Sequence, residues 1–327
     1  MLSLSRYSLA VALGLFVISQ PSARPYQGAG STPPQSNRQQ LPPTISGTTY
    51  RYNVDLINVF CSVWNKDTKS FVTNLAPGDF ALYEDGQKQT ISNFAREANL
   101  PLTIALLVDT SQSVAPKLKF EQQAATDFFY TVLRQTDRAM LVTFDSSVNL
   151  LQDFTNDPNR LAKQIRTMQA AGNTALFDAV VRTCDEKLIR ETGRKTIVIL
   201  SDGDDSASND TLEQAREMAL KAEATIFSIS INRGGLFGVG GDTRAGDNVL
   251  KQLATETGGK ALFPIQVEEL DSAFREISQE LRSQYNIGYY SSNKMRDGGY
   301  RKIEVKLTDK NLRPNFRKGY FAPSGGQ

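Results

Sequence analysis

The rhythm of apolar and polar positions changes four times along the chain. Leu9 to Ile18 is apolar, preceded by Arg6 and followed by the small residues Ser19, Ser22 and Ala23. A positive start, a short apolar core and small residues near its end predict a secretory signal over residues 1–23, too short to span a bilayer comfortably. Residues 24–48 carry Pro33-Pro34 and Pro42-Pro43 among Ser, Gln and Gly, a composition that cannot bury enough surface to offset chain entropy and that predicts a disordered linker. Over residues 49–97 polar and apolar positions alternate: RYNVDLINVFCSVWN, then a short strand ending at Glu84, the hairpin signal Asp85-Gly86, and a partner strand from Gln89 to Phe94.

From residue 101 to 283 short apolar runs alternate with stretches of helical spacing. IALLVDTSQS, Ile104 to Ser113, is an apolar run that stops at Asp109 and gives way to small oxygen-bearing side chains. Such a run fits a strand buried on both faces. A helix is expected over Lys117 to Leu133, with Phe120, Ala124, Phe128 and Val132 as its apolar positions, followed by a strand Arg138 to Phe144 and a helix Leu161 to Met168. After the turn Gly172-Asn173, Thr174 opens a predicted helix to about Arg190; KTIVIL, Lys195 to Leu200, is a second apolar run ending in Ser201-Asp202-Gly203. A helix Leu212 to Ala222, a strand Thr225 to Ile231, a Gly-rich loop Arg233 to Asp247, a helix Val249 to Thr257, a strand Lys260 to Phe263 and a helix Val267 to Arg282 complete the series. The alternation predicts the α/β class, with a Rossmann-like, doubly wound, mainly parallel sheet. Over residues 284–322 three more strands are expected, Asn286 to Tyr290, Arg301 to Leu307 and Phe316 to Phe321, completing a small β-sandwich-like domain begun by residues 49–97.

Composition narrows the chemistry. There are 37 basic and 35 acidic residues, a balance that gives no support to nucleic-acid binding or a polybasic membrane patch. Histidine is absent, which removes Ser-His and Cys-His catalysis and every imidazole metal site. Cys61 and Cys184 each sit in an apolar-periodic context and are expected to be two separate buried thiols.

In open α/β sheets, ligands collect at the carboxyl ends of strands, where Asp109, Ser111, Ser113 and Asp202 fall, with Thr174 at the start of a predicted helix. All five offer the hard oxygen that Mg²⁺ prefers. Taken singly, such residues are commonly helix caps and turn formers; five in this order at strand-to-helix junctions point to a metal site. Asp178 reads equally well as a cap or as a partner of a ligand. Asp204, Asp205 and Asp210 read as a solvated loop in preference to a second cation position, and Leu236-Phe237-Gly238, on the same face, either as a partner contact or as a segment tucked against the domain.

Asp109-x-Ser111-x-Ser113, then Thr174, then Ser201-Asp202-Gly203, resembles the metal-ion-dependent adhesion site of von Willebrand factor type A domains. The flanks DFALYEDGQKQTISNF, LRSQYNIGYY, YRKIEVKL and RKGYFAP are similar to the bacterial VWFA-related family first described from acidobacteria. The resemblance implies that Ser111, Ser113 and Thr174 contact a divalent cation, Mg²⁺ or else Mn²⁺ or Ca²⁺, with Asp109 and Asp202 holding it directly or through water. It further implies an exported, periplasmic or secreted, non-catalytic protein whose protein partner presents an Asp or Glu carboxylate to the cation. Gln112 and Asn173 stand where glycines are common in the family, which implies an altered loop shape rather than a lost metal. Two rival readings are an envelope scaffold that binds through the β-sandwich, the cation only stabilising, and a Mg²⁺-assisted hydrolase, for which no general base is evident.

Overall fold

Residues 56–96, 100–232, 244–266 and 269–325 are described by the structure, a computed structural model; the expected signal and linker and the Leu236-Phe237-Gly238 loop lie outside them. In chain order the strands are β1 (Leu56–Asn65), β2 (Ser70–Phe71), β3 (Phe80–Glu84), β4 (Gln87–Gln89), β5 (Ile91–Arg96), β6 (Leu102–Asp109), β7 (Arg138–Phe144), β8 (Val148–Thr155), β9 (Arg194–Ser201), β10 (Ala224–Ser230), β11 (Ala261–Leu262), β12 (Tyr285–Tyr290), β13 (Tyr300–Leu307), β14 (Leu312–Phe316) and β15 (Gly319–Phe321). The helices are α1 (Leu118–Val132), α2 (Pro158–Ile165), α3 (Leu176–Arg182), α4 (Leu212–Lys221), α5 (Arg244–Thr257) and α6 (Leu270–Arg282).

A sheet of order β11-β10-β9-β6-β7-β8 forms the α/β part. All its pairs are parallel except β7 with the edge strand β8. Every residue of β6 and β9 is buried, which is why both read as unbroken apolar runs. Leu102, Ile104, Leu106 and Val108 face a core shared with α1, α2 and α6, whereas Ala105 and Leu107 face one shared with α3, α4 and α5. The helix after β6 therefore lies on one face and the helix after β9 on the other. Between these two strands the winding reverses, which opens the crevice where α/β sheets bind ligands.

The flanking strands form two antiparallel-paired sheets, β14-β1-β12-β5 with β2 on β1, and β15-β13-β3-β4. Each sheet draws strands from both ends of the chain, and Val59, Cys61, Leu82, Ile287, Tyr289 and Ile303 meet in the core between them. The chain leaves after β5 and returns into β12, and Arg96 and Tyr285 face each other across that pair. The two connections to the α/β part thus run from neighbouring points. The joint is hydrogen-bonded: Ser62 Oγ donates to Glu280 Oε1 at 2.6 Å, and Asn315 Nδ2 donates to the same oxygen at 2.8 Å. Arg194 reaches the Leu281 carbonyl and donates to Gln284 Oε1 at 2.7 Å. Cys61 and Cys184 are both buried and unbonded.

Five local expectations need correction. The edge strand β8 was unforeseen; it is only partly covered and its pairing is irregular, so no clean alternation marks it. The helix expected from Thr174 begins at Leu176, because the Thr174 carbonyl accepts from the Ser206 and Ala207 amides and the Asp178 amide donates to Ser208 Oγ at 3.1 Å. It continues through a π-helical turn, Thr183–Lys187, and a short 3-10 turn, Leu188–Arg190. The Gly-rich loop to Asp247 gives way to α5 at Arg244. Phe316 to Phe321 is two strands in different sheets, since the chain crosses over at Arg317-Lys318. Finally, α1 is rotated from the expected stripe: Glu121, Ala124, Ala125, Phe128, Phe129 and Val132 face inward, while Phe120 is 49% exposed.

Candidate metal centre

β6 and β9 bring the two acidic stretches together. Val108 pairs with Leu200, so Asp109 and Ser201 close neighbouring strands, and Ser201 Oγ donates to Asp109 Oδ2 at 2.6 Å. Asp109 Oδ1 accepts from the Ser111 amide at 2.9 Å. This bond folds the chain back after β6 and turns the serines upward. Ser111 Oγ and Ser113 Oγ share a hydrogen bond of 3.0 Å, and Ser113 Oγ donates to Asp202 Oδ2 at 2.7 Å. Asp109, Ser111 and Thr174 are buried, whereas Ser113 is exposed and Asp202 half-buried. The cluster therefore has a dry floor and a wet rim.

Thr174 arrives on a separate loop. That loop is fastened to the serine turn by its backbone: the Gln112 amide donates to the Gly172 carbonyl at 3.0 Å and the Ala171 amide to the Thr110 carbonyl at 2.8 Å. The Thr174 amide donates to Ser206 Oγ at 3.1 Å. Thr174 is thus held beside the cluster but takes no part in the hydrogen-bond chain that joins Ser111, Ser113 and Asp202. Gln112 and Asn173 are both exposed.

Asp178 serves the neighbouring loop, accepting from the Asn209 and Asp210 amides at 2.8 Å each. Asp205 accepts from the Phe177 amide at 3.2 Å and from Ser208 Oγ at 2.6 Å. Both carboxylates brace turns.

Burial dominates the electrostatics of the floor. It pushes the Asp109 carboxyl up to about 6, against the bonds from Ser201 and Ser111 and with the help of the Asp202 charge. The hydrogen-bond partners of Asp109 carry no charge of their own. A carboxylate held this way is stabilised by a cation from outside the chain.

The donor set suits a small hard cation. Oxygens ~2.1 Å from Mg²⁺ stand roughly 3 Å apart along an octahedral edge, near the spacings of the two serine hydroxyls and of Ser113 with Asp202. Among the described residues no group of three or more Cys, Asp or Glu side chains is arranged to hold a metal, so a cation here depends on hydroxyl donors.

Four residues support the cluster, two of which, Asn232 and Gly246, lie outside the motif. Ser201 orients Asp109. Asn232 Nδ2 donates to the Asp202 carbonyl at 2.6 Å and to Asp247 Oδ1 at 3.1 Å, tying β10, the Asp202 loop and α5 together. Gly203 and Gly246 allow that approach: Gly203 has φ +80°, and a methyl group on Gly246 would collide with the Asp202 carbonyl. Ser201 and Gly203 flank Asp202 in the motif, where the Gly203 amide donates to Ser201 Oγ at 3.0 Å, whereas Asn232 and Gly246 reach the site from other elements and leave no local signal.

Comparison with known proteins places a family model described as "von Willebrand factor type A domain" on residues 104–204. The matched span includes Asp109, Ser111, Ser113, Thr174 and Asp202 and none of the flanking strands. No curated protein matches the chain. Among solved structures, the vWF domain of the type V pili tip protein Mfa5 from Porphyromonas gingivalis is 16% identical, with a TM-score of 0.48, covering 56% of this chain and 95% of that one. An aerotolerance-related membrane protein from Bacteroides fragilis is 15% identical at a TM-score of 0.46, covering 55% and 98%. The proximal thread matrix protein 1 of the mussel byssus, solved with a zinc-occupied MIDAS motif, is 15% identical at a TM-score of 0.49, covering 62% and 50%.

Proposed function

We propose that this chain, whose residues 104–204 match a von Willebrand factor type A domain, is an exported adhesion-type binding protein that engages a protein partner through a divalent cation held by Asp109, Ser111, Ser113, Thr174 and Asp202. The observation that carries this reading is the chain of oxygens from Ser111 through Ser113 to Asp202, set over a buried Asp109 whose partners are uncharged. When bound, the cation, Mg²⁺ or in its place Mn²⁺ or Ca²⁺, supplies a Lewis-acidic position for a carboxylate of the partner. Ser111 and Ser113 offer neutral lone pairs, so the partner's negative charge is not repelled as it would be by an all-carboxylate site. Asp109 and Ser201 keep the floor dry and fixed, and the loops that end in Gln112 and Asn173 present exposed polar side chains around the rim for specificity.

The protein performs no catalysis of its own in this reading. The sequence has no histidine, and the carboxylates of the face are taken up by the cation and by turns. Export rests on the pattern of residues 1–23; among the described residues no helix is long and apolar enough to cross a membrane.

The test is retention of a partner from envelope and secreted extracts of the source cell by immobilised protein, with Mg²⁺ or with chelator, beside a Ser113→Ala variant. Retention that needs Mg²⁺ and Ser113 is expected. Retention indifferent to both would contradict the reading and favour a scaffold that binds through the β-sandwich.

A further inference from the structure

The inward stripe of α1 contains one residue that does not belong among apolar neighbours. Glu121 shares it with Ala124, Ala125 and Phe128, is 0% exposed, and leaves both carboxylate oxygens without a hydrogen-bond partner. An isolated ionised carboxylate in such a place is strongly disfavoured. A residue that served only to fill the stripe would be better replaced by alanine or leucine.

The surroundings of Glu121 indicate what it serves. Burial, then the charge of Asp109 at the end of β6 and that of Asp202 after β9, push its carboxyl well up, and Lys117 one helical turn earlier offsets part of this. Lys117 Nζ is itself committed to the Ile231 carbonyl beyond β10. Glu121 sits in the first turn of α1, the helix that follows the Ser111 to Ser113 turn, and its side chain is wholly buried against the sheet side of that helix. Burial disfavours the ionised form of Glu121 in the cation-free protein and a bound cation favours it; with all four groups ionised, three carboxylates and one ammonium make this region doubly negative. That charge is the complement of a divalent cation.

We propose that Glu121 is a buried counter-charge of the cation site, strengthening divalent-cation binding at Ser111, Ser113 and Asp202 through space without ligating the ion. This rests on the cation reading above and adds to it a residue outside the adhesion-site motif. Low local dielectric and fixed position make the attraction effective over a distance at which surface charges would be screened. The same group is a burden on the cation-free protein, which must hold an unpartnered carboxyl in its core.

The inference predicts effects of opposite sign, which a merely structural role would not give. Glu121→Gln and Glu121→Leu, made in the full chain, should each weaken Mn²⁺ binding by about tenfold in calorimetric titration. They should also raise the melting temperature of the cation-free protein and shrink the further rise that saturating Mn²⁺ produces. Cation affinity within twofold of wild type in both variants would overturn the inference while leaving the cation reading intact. So would failure of both to fold, or a lower cation-free melting temperature in both, since either assigns Glu121 to packing. A wild-type protein that binds no Mn²⁺ would overturn both the inference and the reading beneath it.

Discussion

Two regions of the molecule bury carboxylates, and they treat them differently. In the sandwich, Glu84 is 2% exposed and accepts from Tyr289 Oη at 2.6 Å, Tyr320 Oη at 3.0 Å and Ser291 Oγ. At the joint, Glu280 accepts from Ser62 and Asn315, so that burial pushes its carboxyl up while those two bonds hold it back. In the crevice, Asp109 has one hydroxyl and one amide, and Glu121 on α1 has no hydrogen-bond partner. The first region meets its carboxylates with side-chain donors from within the chain. The second leaves negative charge to be met from outside, which is what a binding site for a cation requires.

The comparison can be broken most forcefully in the sandwich. Glu84→Ala leaves the buried hydroxyls of Tyr289 and Tyr320 without their acceptor, a loss of about 3 kcal/mol or more, and should lower the melting temperature by roughly 6–12 °C. Cation affinity should be unchanged. A loss of affinity in a still-folded Glu84→Ala protein would show that the two regions are not independent.

Next in size is a pH effect confined to the crevice. The folded-state pKa of Asp109 is raised to about 6 from the ordinary 3.8, so the folded protein holds this proton more tightly than the unfolded chain. The stabilisation is complete below about pH 4 and is lost as pH rises through about 6, a change of ~3 kcal/mol from this one group. Cation-free melts between pH 4 and 7 should show that fall, and Asp109→Asn should flatten it. Saturating Mg²⁺ should remove it in wild type by holding the carboxylate ionised.

A smaller effect comes from the glycine contact. Gly246→Ala forces the first turn of α5 away from the Asp202 carbonyl at a cost of about 2 kcal/mol, and both stability and cation affinity should fall. The smallest is Ser201→Ala, which removes one bond to Asp109. About 1 kcal/mol of stability and a severalfold loss of cation affinity are expected, read by melting and by titration.

What the sequence disclosed follows the same division. The parallel sheet was legible because β6 and β9 are buried on both faces and so read as unbroken apolar runs. β8 was not, because an edge strand covered only in part has no periodicity to display. Around the crevice, Asp109, Ser111, Ser113 and Asp202 stand in short motifs at strand ends, and their order along the chain is visible. Ser201, Asn232 and Glu121 act across elements. Glu121 was further hidden by Phe120 beside it, which completes an apolar spacing with Ala124, Phe128 and Val132 that the packed helix does not use.

The central claim is that the crevice binds a divalent cation through its hydroxyls. Calorimetric titration of Mg²⁺ and Mn²⁺ into the cation-free protein, beside Ser111→Ala and Asp202→Ala variants shown to be folded, tests it most directly. Saturable binding in wild type that both variants lose is the predicted result. Binding that persists undiminished in both folded variants, or no binding in wild type, would contradict it.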